Sequence, residues 1–512
     1  TPMTTPSFTH NSATGSIETA ALLDAIAPLA TEGAVPETVS GITDDSRAVV
    51  PGGVFVAVRG CEADGHRFIA GAARAGAAVI VAEDFSGTAL PSDVLRITVA
   101  DSREALGLMA SRFFGDPSDE LSLVGVTGTN GKTTVATLLY NMARAMGLRA
   151  GLLSTVANIV DTESTAAEHT TPHPIALNGF LRRMAEAGCT FAAMEVSSHA
   201  ADQHRIAGLS FAGGVFTNLT RDHLDYHRTV EAYLKAKKSF FDGLTPQAFA
   251  LVNADDRNGA VMLQNCPARH FTYSVRATAD FKARMVEDRI DGMEVEFGGT
   301  PVDTRFAGEF NASNLAAVYG TSLLMGWPRE KVLTALSALT PVAGRFEQFR
   351  SADGVTAIVD FAHTPDALAN VLDTIADIAP RDAAVWCVFG AGGNRDAGKR
   401  PLMARTVCEK ADVAVLTSDN PRHENPDDII ADMAAGIGSD SRARVVVQPD
   451  RAAAIAETIA AAKAGDIVLV AGKGHETEQI IGDTAIHFDD RLECRRALER
   501  RAAGGQPTTN LR

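Results

Sequence analysis

Residues 121–146 read Leu-Ser-Leu-Val-Gly-Val-Thr-Gly-Thr-Asn-Gly-Lys-Thr-Thr-Val-Ala-Thr-Leu-Leu-Tyr-Asn-Met-Ala-Arg-Ala-Met. A short apolar run, a glycine-rich turn and an apolar pattern of helical period follow one another. That succession is strand, loop, helix, the opening of a parallel α/β sheet. In such a turn the backbone N–H groups of Gly128, Thr129, Asn130, Gly131, Lys132, Thr133 and Thr134 form an anion-binding concavity at a helix N-terminus. Lys132 can reach the β- and γ-phosphates of a nucleotide, and the Thr133 hydroxyl can join a Mg²⁺ shell. The loop departs from the general phosphate-loop pattern, because position 126 is Val and the earlier glycine is Gly125. By itself it indicates a nucleotide triphosphate and nothing more.

Working outward, further strands are expected at 191–196, 214–217 and 249–253. Beyond Thr340-Pro-Val-Ala-Gly344, others are expected at 356–360, 384–389, 413–416 and 466–470, alternating with helical stretches. This is a second doubly wound unit. Upstream, 54–58 and 78–82 belong to a smaller α/β unit that ends near Phe113-Phe-Gly-Asp-Pro-Ser118. Three α/β domains in series is the reading, with the site expected where domains meet.

Composition excludes several classes. The 512 residues are 46% hydrophobic and carry a formal net charge of −16, which argues against general nucleic-acid binding. No apolar run approaches the ~18 residues needed to span a bilayer. The six scattered cysteines contain no Cys-x-x-Cys pair, which suits a reducing compartment. Residues 1–16, rich in Thr, Ser and Pro and without a signal-peptide pattern, read as a disordered tail. A cytoplasmic, soluble monomer acting on small molecules is expected, with no membrane insertion.

Several strings are rich in chemistry. Met194-Glu-Val-Ser-Ser-His199 places Glu195 at the C-terminal end of a strand, and Thr217-Asn-Leu-Thr-Arg-Asp-His-Leu-Asp-Tyr-His227 is dense in potential ligands. Read in isolation, the second is also a polar loop with satisfied histidines. Glu231-Ala-Tyr-Leu-Lys-Ala-Lys-Lys238 is a short helix whose lysines read first as a solvated face. Asp-Ser-Arg at 45–47 reads as a capped turn, and Asn-Pro at 420–421 as a turn signal.

The loop Gly128-Thr-Asn-Gly-Lys-Thr133 resembles that of the Mur ligase family, and the resemblance extends over nearly the whole chain. It is strongest to members that add meso-diaminopimelate. It implies an N-terminal uridine-recognition α/β domain (17–118), a central P-loop ATPase domain with a parallel sheet (119–342) and a C-terminal Rossmann-like amino-acid domain (343–512). The implied activity is an ATP-dependent acid–amino-acid ligase of peptidoglycan synthesis, forming ADP and phosphate through an acyl phosphate on a UDP-linked muropeptide.

The resemblance also implies residue roles. Thr133, Glu195 and His223 would bind metal, with two Mg²⁺ ions in all. Lys237 would carry a CO₂-derived carbamate as a further ligand, with Lys238 as the rival. A neighbouring cation, Lys235 or Lys238, would keep Lys237 neutral. Asn311, Arg345, Asp360 and His363 would serve ATP. Ser46, Cys61, Glu62, Ala63, Thr170, Thr171, Ser197, Gln203 and Arg205 would hold the UDP-muropeptide. Arg395, Asp419, Asn420, Pro421, Arg422, Gly472 and Glu476 would bind diaminopimelate, whose distal carboxylate suits the two arginines. Phe346 and Phe361 stand where the family leads one to expect Met and Tyr. An L-lysine-adding ligase is the nearest alternative, which Arg422 disfavours. A folylpolyglutamate synthetase would not need the Asp45-Ser-Arg47 string, and a binding or transport ATPase would leave the C-terminal strings idle.

Overall fold

In the computed structural model, the run Ser122–Thr127 is a strand covered on both faces, with Leu123, Val124 and Val126 fully buried. Coverage from both sides is what a strand of a parallel sheet requires. The structure describes residues 7–60, 63–220, 222 and 224–503. The strand lies near the middle of an eleven-stranded sheet, flanked in parallel by Phe191–Glu195 and Gly213–Phe216. The helix Lys132–Ala145 lies against the same sheet and buries Val135, Leu138, Leu139 and Met142, the stripe that helical spacing predicts. A Cβ on Gly125 would stand 2.5 Å from the Phe240 ring. Glycine there lets the helix Val230–Asp242 pack directly on the strand that feeds the loop.

A seven-stranded sheet precedes this domain, parallel from Thr38–Thr43 through Leu95–Thr98 and edged by antiparallel strands. Residues 7–16, expected as a disordered tail, instead contribute to it. Ser7–Phe8 and Ser12–Glu18 pair as strands, the latter against Thr38–Thr43. Ser and Thr suit a half-exposed strand, and Ala13 is buried on the inner side. A third sheet of six strands runs Glu347–Arg350, Thr356–Asp360, Ile467–Ala471, Val385–Phe389, Val413–Leu416, Arg444–Val447, parallel except for its first pair. The strands expected from sequence are thus present, with ends shifted by a residue or two. Cys189, Cys266, Cys387, Cys408 and Cys494 are free and buried. Among the described residues, no helix is long and apolar enough to cross a membrane.

Candidate active site

The loop between Thr127 and Lys132 is tied to the exit of the adjacent parallel strand Gly213–Phe216. Asn130 N–H donates to Asn218 Oδ1 (2.8 Å), and Thr217 Oγ1 donates to Asn130 O (2.6 Å). Gly128 has φ +151°, and a Cβ there would meet Thr217 Oγ1 at 1.9 Å, so only glycine fits. Lys132 Nζ folds over the loop, donating to Gly128 O and Thr129 O, each at 2.9 Å. Burial lowers the Lys132 pKa, opposed by the Glu195 carboxylate.

A cavity of about 1200 Å³ opens from this loop and continues to the C-terminal sheet. Near the loop its wall includes Asn311, Asn314, Arg345, Asp360 and His363. Arg345 Nη2 donates to Thr133 Oγ1 (3.1 Å), and its guanidinium lies 4.3 Å from the Phe361 ring centre. Asn130 Nδ2 also reaches Asp366 Oδ2 across the two domains (3.2 Å). Asp360 holds the strand end by accepting from Phe346 N and Ala362 N, both at 2.7 Å; burial raises its pKa, opposed by Arg345. His363 is pushed down by burial, then by Lys399.

Glu195 ends its strand inside the cavity, 1% exposed, with Oε1 accepting from Thr155 N (2.7 Å). With the Thr133 hydroxyl, its carboxylate suits a hard cation such as Mg²⁺, which takes one or two protein oxygens and completes its shell with phosphates and water. Among the described residues no three His, Cys, Asp or Glu side chains converge on a metal site. His223 lies outside those residues.

Lys237 does not line the cavity. It sits behind the loop, 1% exposed, donating from Nζ to Gly128 O (2.7 Å) with the Tyr233 ring centre 4.7 Å away. Burial holds its pKa well below the ordinary lysine range, and the Lys132 charge lowers it further. The expected helper cation was Lys235 or Lys238; the structure assigns that influence to Lys132 instead. Lys238 points away, binding Asp242 Oδ1 and Gln264 O.

At the far end the cavity reaches Arg395, Asp419, Asn420, Arg422, Gly472 and Glu476. Arg422 adopts a left-handed φ of +52°, held by its N–H on Ile480 O (3.0 Å) and its Nη1 on Gly393 O (2.9 Å). That conformation is rare outside glycine and concentrates at functional positions. Its pKa is lowered by burial and then by Arg395. Gly472, at φ +117°, leaves room for Asp419, since a Cβ would meet Asp419 Oδ2 at 2.6 Å. Pro421 is buried beside these residues without lining the cavity.

The residues expected to hold the UDP-muropeptide fall into two groups. Thr170 lines the cavity, and Thr171, Ser197, Gln203 and Arg205 form a network beside it. Thr171 Oγ1 donates to Glu195 O (2.8 Å), Arg205 Nη1 to Thr171 O (2.9 Å), and Arg205 Nε and Nη2 to Gln203 Oε1. Asp202 takes its place here, accepting from Tyr226 OH, which in turn is bonded to Gln203 Nε2. Ser46 and Ala63 lie in the N-terminal domain, away from this cavity. Asp45 clamps Arg47 and is held low by it, near 2, which is the capped-turn reading. The domains meet where His173 Nε2 approaches Asp44 Oδ2 (3.0 Å). Cys61 and Glu62 lie outside the described residues.

Thr155 was not picked out by sequence, while Thr217, Asn218 and Lys473 lay inside strings marked as rich in chemistry without a role of their own. Each makes at least one contact with a residue distant in the chain, which no local pattern marks.

Fold and site together define a three-domain enzyme built around a nucleotide phosphate loop. Three family descriptions match the chain: the Mur ligase family catalytic domain over 38–114, the Mur ligase middle domain over 126–322 and the Mur ligase glutamate ligase domain over 344–474. A protein of Phocaeicola vulgatus named UDP-N-acetylmuramoyl-L-alanyl-D-glutamate--2,6-diaminopimelate ligase is 54% identical, over 90% of this chain and 95% of its own. One of Parabacteroides distasonis with the same name is 54% identical over 89% and 94%. A solved structure of a ligase of that name is 32% identical, with a TM-score of 0.63, covering 90% of this chain and 94% of the other. The chain belongs to the Mur ligase family and is an ATP-dependent ligase.

Proposed function

We propose that this chain joins meso-diaminopimelate to the D-glutamyl γ-carboxylate of UDP-N-acetylmuramoyl-L-alanyl-D-glutamate, in the cytoplasm, during peptidoglycan synthesis. The observation that carries this reading is one continuous cavity with a phosphate loop at one end and the Asp419–Arg422 and Glu476 wall at the other. The named relatives support the choice of substrates.

In this reading, loop N–H groups and Lys132 hold the triphosphate of ATP, and Arg345, already on Thr133, adds a second positive charge. Phosphoryl transfer to the γ-carboxylate releases ADP and leaves an acyl phosphate. The diaminopimelate amine attacks the acyl carbon, phosphate departs, and the amine's proton is lost. Thr133, Glu195 and His223 would hold Mg²⁺, with Lys237 as its carbamate; bound there, the metal would neutralise charge on the phosphoryl oxygens. Arg422 and Arg395 read the distal carboxylate, while Asp419 and Glu476 accept from the distal ammonium. L-Lysine would leave those arginines unpaired, a costly mismatch.

The test is phosphate release with ATP, the UDP-dipeptide and either meso-diaminopimelate or L-lysine. Turnover should require the UDP-dipeptide and strongly favour diaminopimelate. Preference for lysine, or release without the UDP-dipeptide, would contradict the proposal.

A further inference from the structure

Lys473 is 0% exposed, and its ammonium donates to Glu476 Oε2 (2.9 Å) and Asn420 Oδ1 (3.1 Å). An enclosed lysine is costly unless it is paired and hydrogen-bonded, so this one marks a position where the fold has committed its partners. Both partners line the far end of the cavity, while Lys473 itself stands behind them. The backbone on either side forces this placement. Gly472 and Gly474 have φ of +117° and +52°, and a Cβ on Gly474 would lie 2.6 Å from Gly344 O. The turn is therefore packed against the segment that carries Arg345.

The amide of Asn420 has only one sensible orientation. Its Oδ1 accepts from Lys473 Nζ and from Ile480 N–H (3.0 Å), so its Nδ2 must face Glu476, where it donates to the same Oε2 (2.9 Å). Two donors thus converge on one oxygen of Glu476. Its other oxygen, Oε1, makes no hydrogen bond among the described residues, and the side chain is a third exposed.

We propose that Lys473 is a positioning residue for the amino-acid substrate: with Asn420 it fixes Glu476 through Oε2 and so presents Oε1 to the ammonium of the incoming diamino acid. This rests on reading the Asp419–Arg422 and Glu476 wall as the amino-acid pocket. Lys473 touches no substrate, and its effect passes entirely through Glu476 and Asn420. An ion pair that merely supported the fold would weaken the whole protein. A positioning lysine weakens one substrate.

The experiment is steady-state kinetics on the full chain, varying each of the three substrates in turn. Lys473→Met, similar in volume and without donors, should raise the KM for meso-diaminopimelate by about 30-fold, the scale of lost hydrogen bonds to a charged group. The KM values for ATP and the UDP-dipeptide should stay within about twofold, as should kcat at saturating diamino acid. Lys473→Gln retains a donor and should fall between wild type and Lys473→Met; it also serves if the methionine variant fails to fold. An unchanged diaminopimelate KM in a folded variant, or an equal rise in all three KM values, would overturn the proposal. Glu476→Gln separates the two levels. If it leaves diaminopimelate KM unchanged, the pocket reading itself fails. If it raises that KM while Lys473→Met does not, only the role of Lys473 fails.

Discussion

Two lysines of this chain are enclosed to the same degree and do opposite things. Lys237, 1% exposed, meets a backbone carbonyl, the face of a tyrosine and the positive field of Lys132. Lys473, 0% exposed, meets a carboxylate and an amide oxygen. Burial disfavours the charged form of Lys237, and the Lys132 charge adds to that effect. Lys237 is accordingly an amine held well below its usual range. Lys473 instead forms an ion pair with Glu476. In the proposed function the same residue type serves chemistry behind the phosphate loop and recognition behind the far wall of the cavity.

The comparison breaks most visibly at Lys237. Lys237→Ala should lower kcat by on the order of 10³-fold, with short carboxylic acids partly restoring turnover by supplying oxygen ligands. Lys238→Ala should stay near wild type, because exposed pairs such as its bond to Asp242 contribute little. Phosphate release with and without added acetate measures both. A dead Lys238→Ala beside an active Lys237→Ala would reverse the assignment.

Lys132→Ala removes both the charge beside Lys237 and a phosphate contact. It should reduce phosphoryl transfer by about 10²-fold or more while leaving UDP-dipeptide affinity within a few-fold, as titration calorimetry would show. Near-normal turnover would remove the loop lysine from the mechanism.

At the recognition end, Arg422→Ala should raise the KM for meso-diaminopimelate by about 30-fold or more, the effect of stranding a buried charge partner. Slow turnover of L-lysine should change little, so the selectivity ratio collapses. An unchanged ratio in the phosphate-release assay would reduce Asp419–Arg422 to a structural turn.

The smallest effect lies on the loop that carries Lys473. Burial, then Arg345, pushes His475 down to about 3. Its unfolded value is near 6.5, so on acidification the unfolded chain takes up the proton first. Its contribution is therefore complete above about pH 6.5 and falls as the pH drops toward 3. Between pH 7 and 5 the loss should be about 2 kcal/mol. Urea denaturation at both pH values should show it, and His475→Gln should flatten that part of the slope.

What could be read from sequence follows the same divide. The strand, loop and helix at 121–146 were legible because their signals are consecutive: an apolar run, glycines, then helical spacing. Glu195 was legible as a strand end, and Arg422 by its motif. The enclosure of Lys237 beside Lys132 was not, because it arises only when the helix Val230–Asp242 packs against Gly125 and brings Lys237 to the loop carbonyl. The bond from Lys473 to Asn420 was hidden for the same reason, since Asn420 comes from another strand's exit. The segment 7–16 was misread because Ser and Thr are common both to tails and to edge strands, and only its pairing with Thr38–Thr43 decides between them.

The state of Lys237 can be read directly by ¹³C NMR of the protein equilibrated with ¹³C-bicarbonate. A protein-bound carbamate carbon signal is expected in the wild type and in Lys238→Ala, and none in Lys237→Ala. A signal that persists in Lys237→Ala, or none in the wild type at saturating bicarbonate, would contradict the Lys237 assignment.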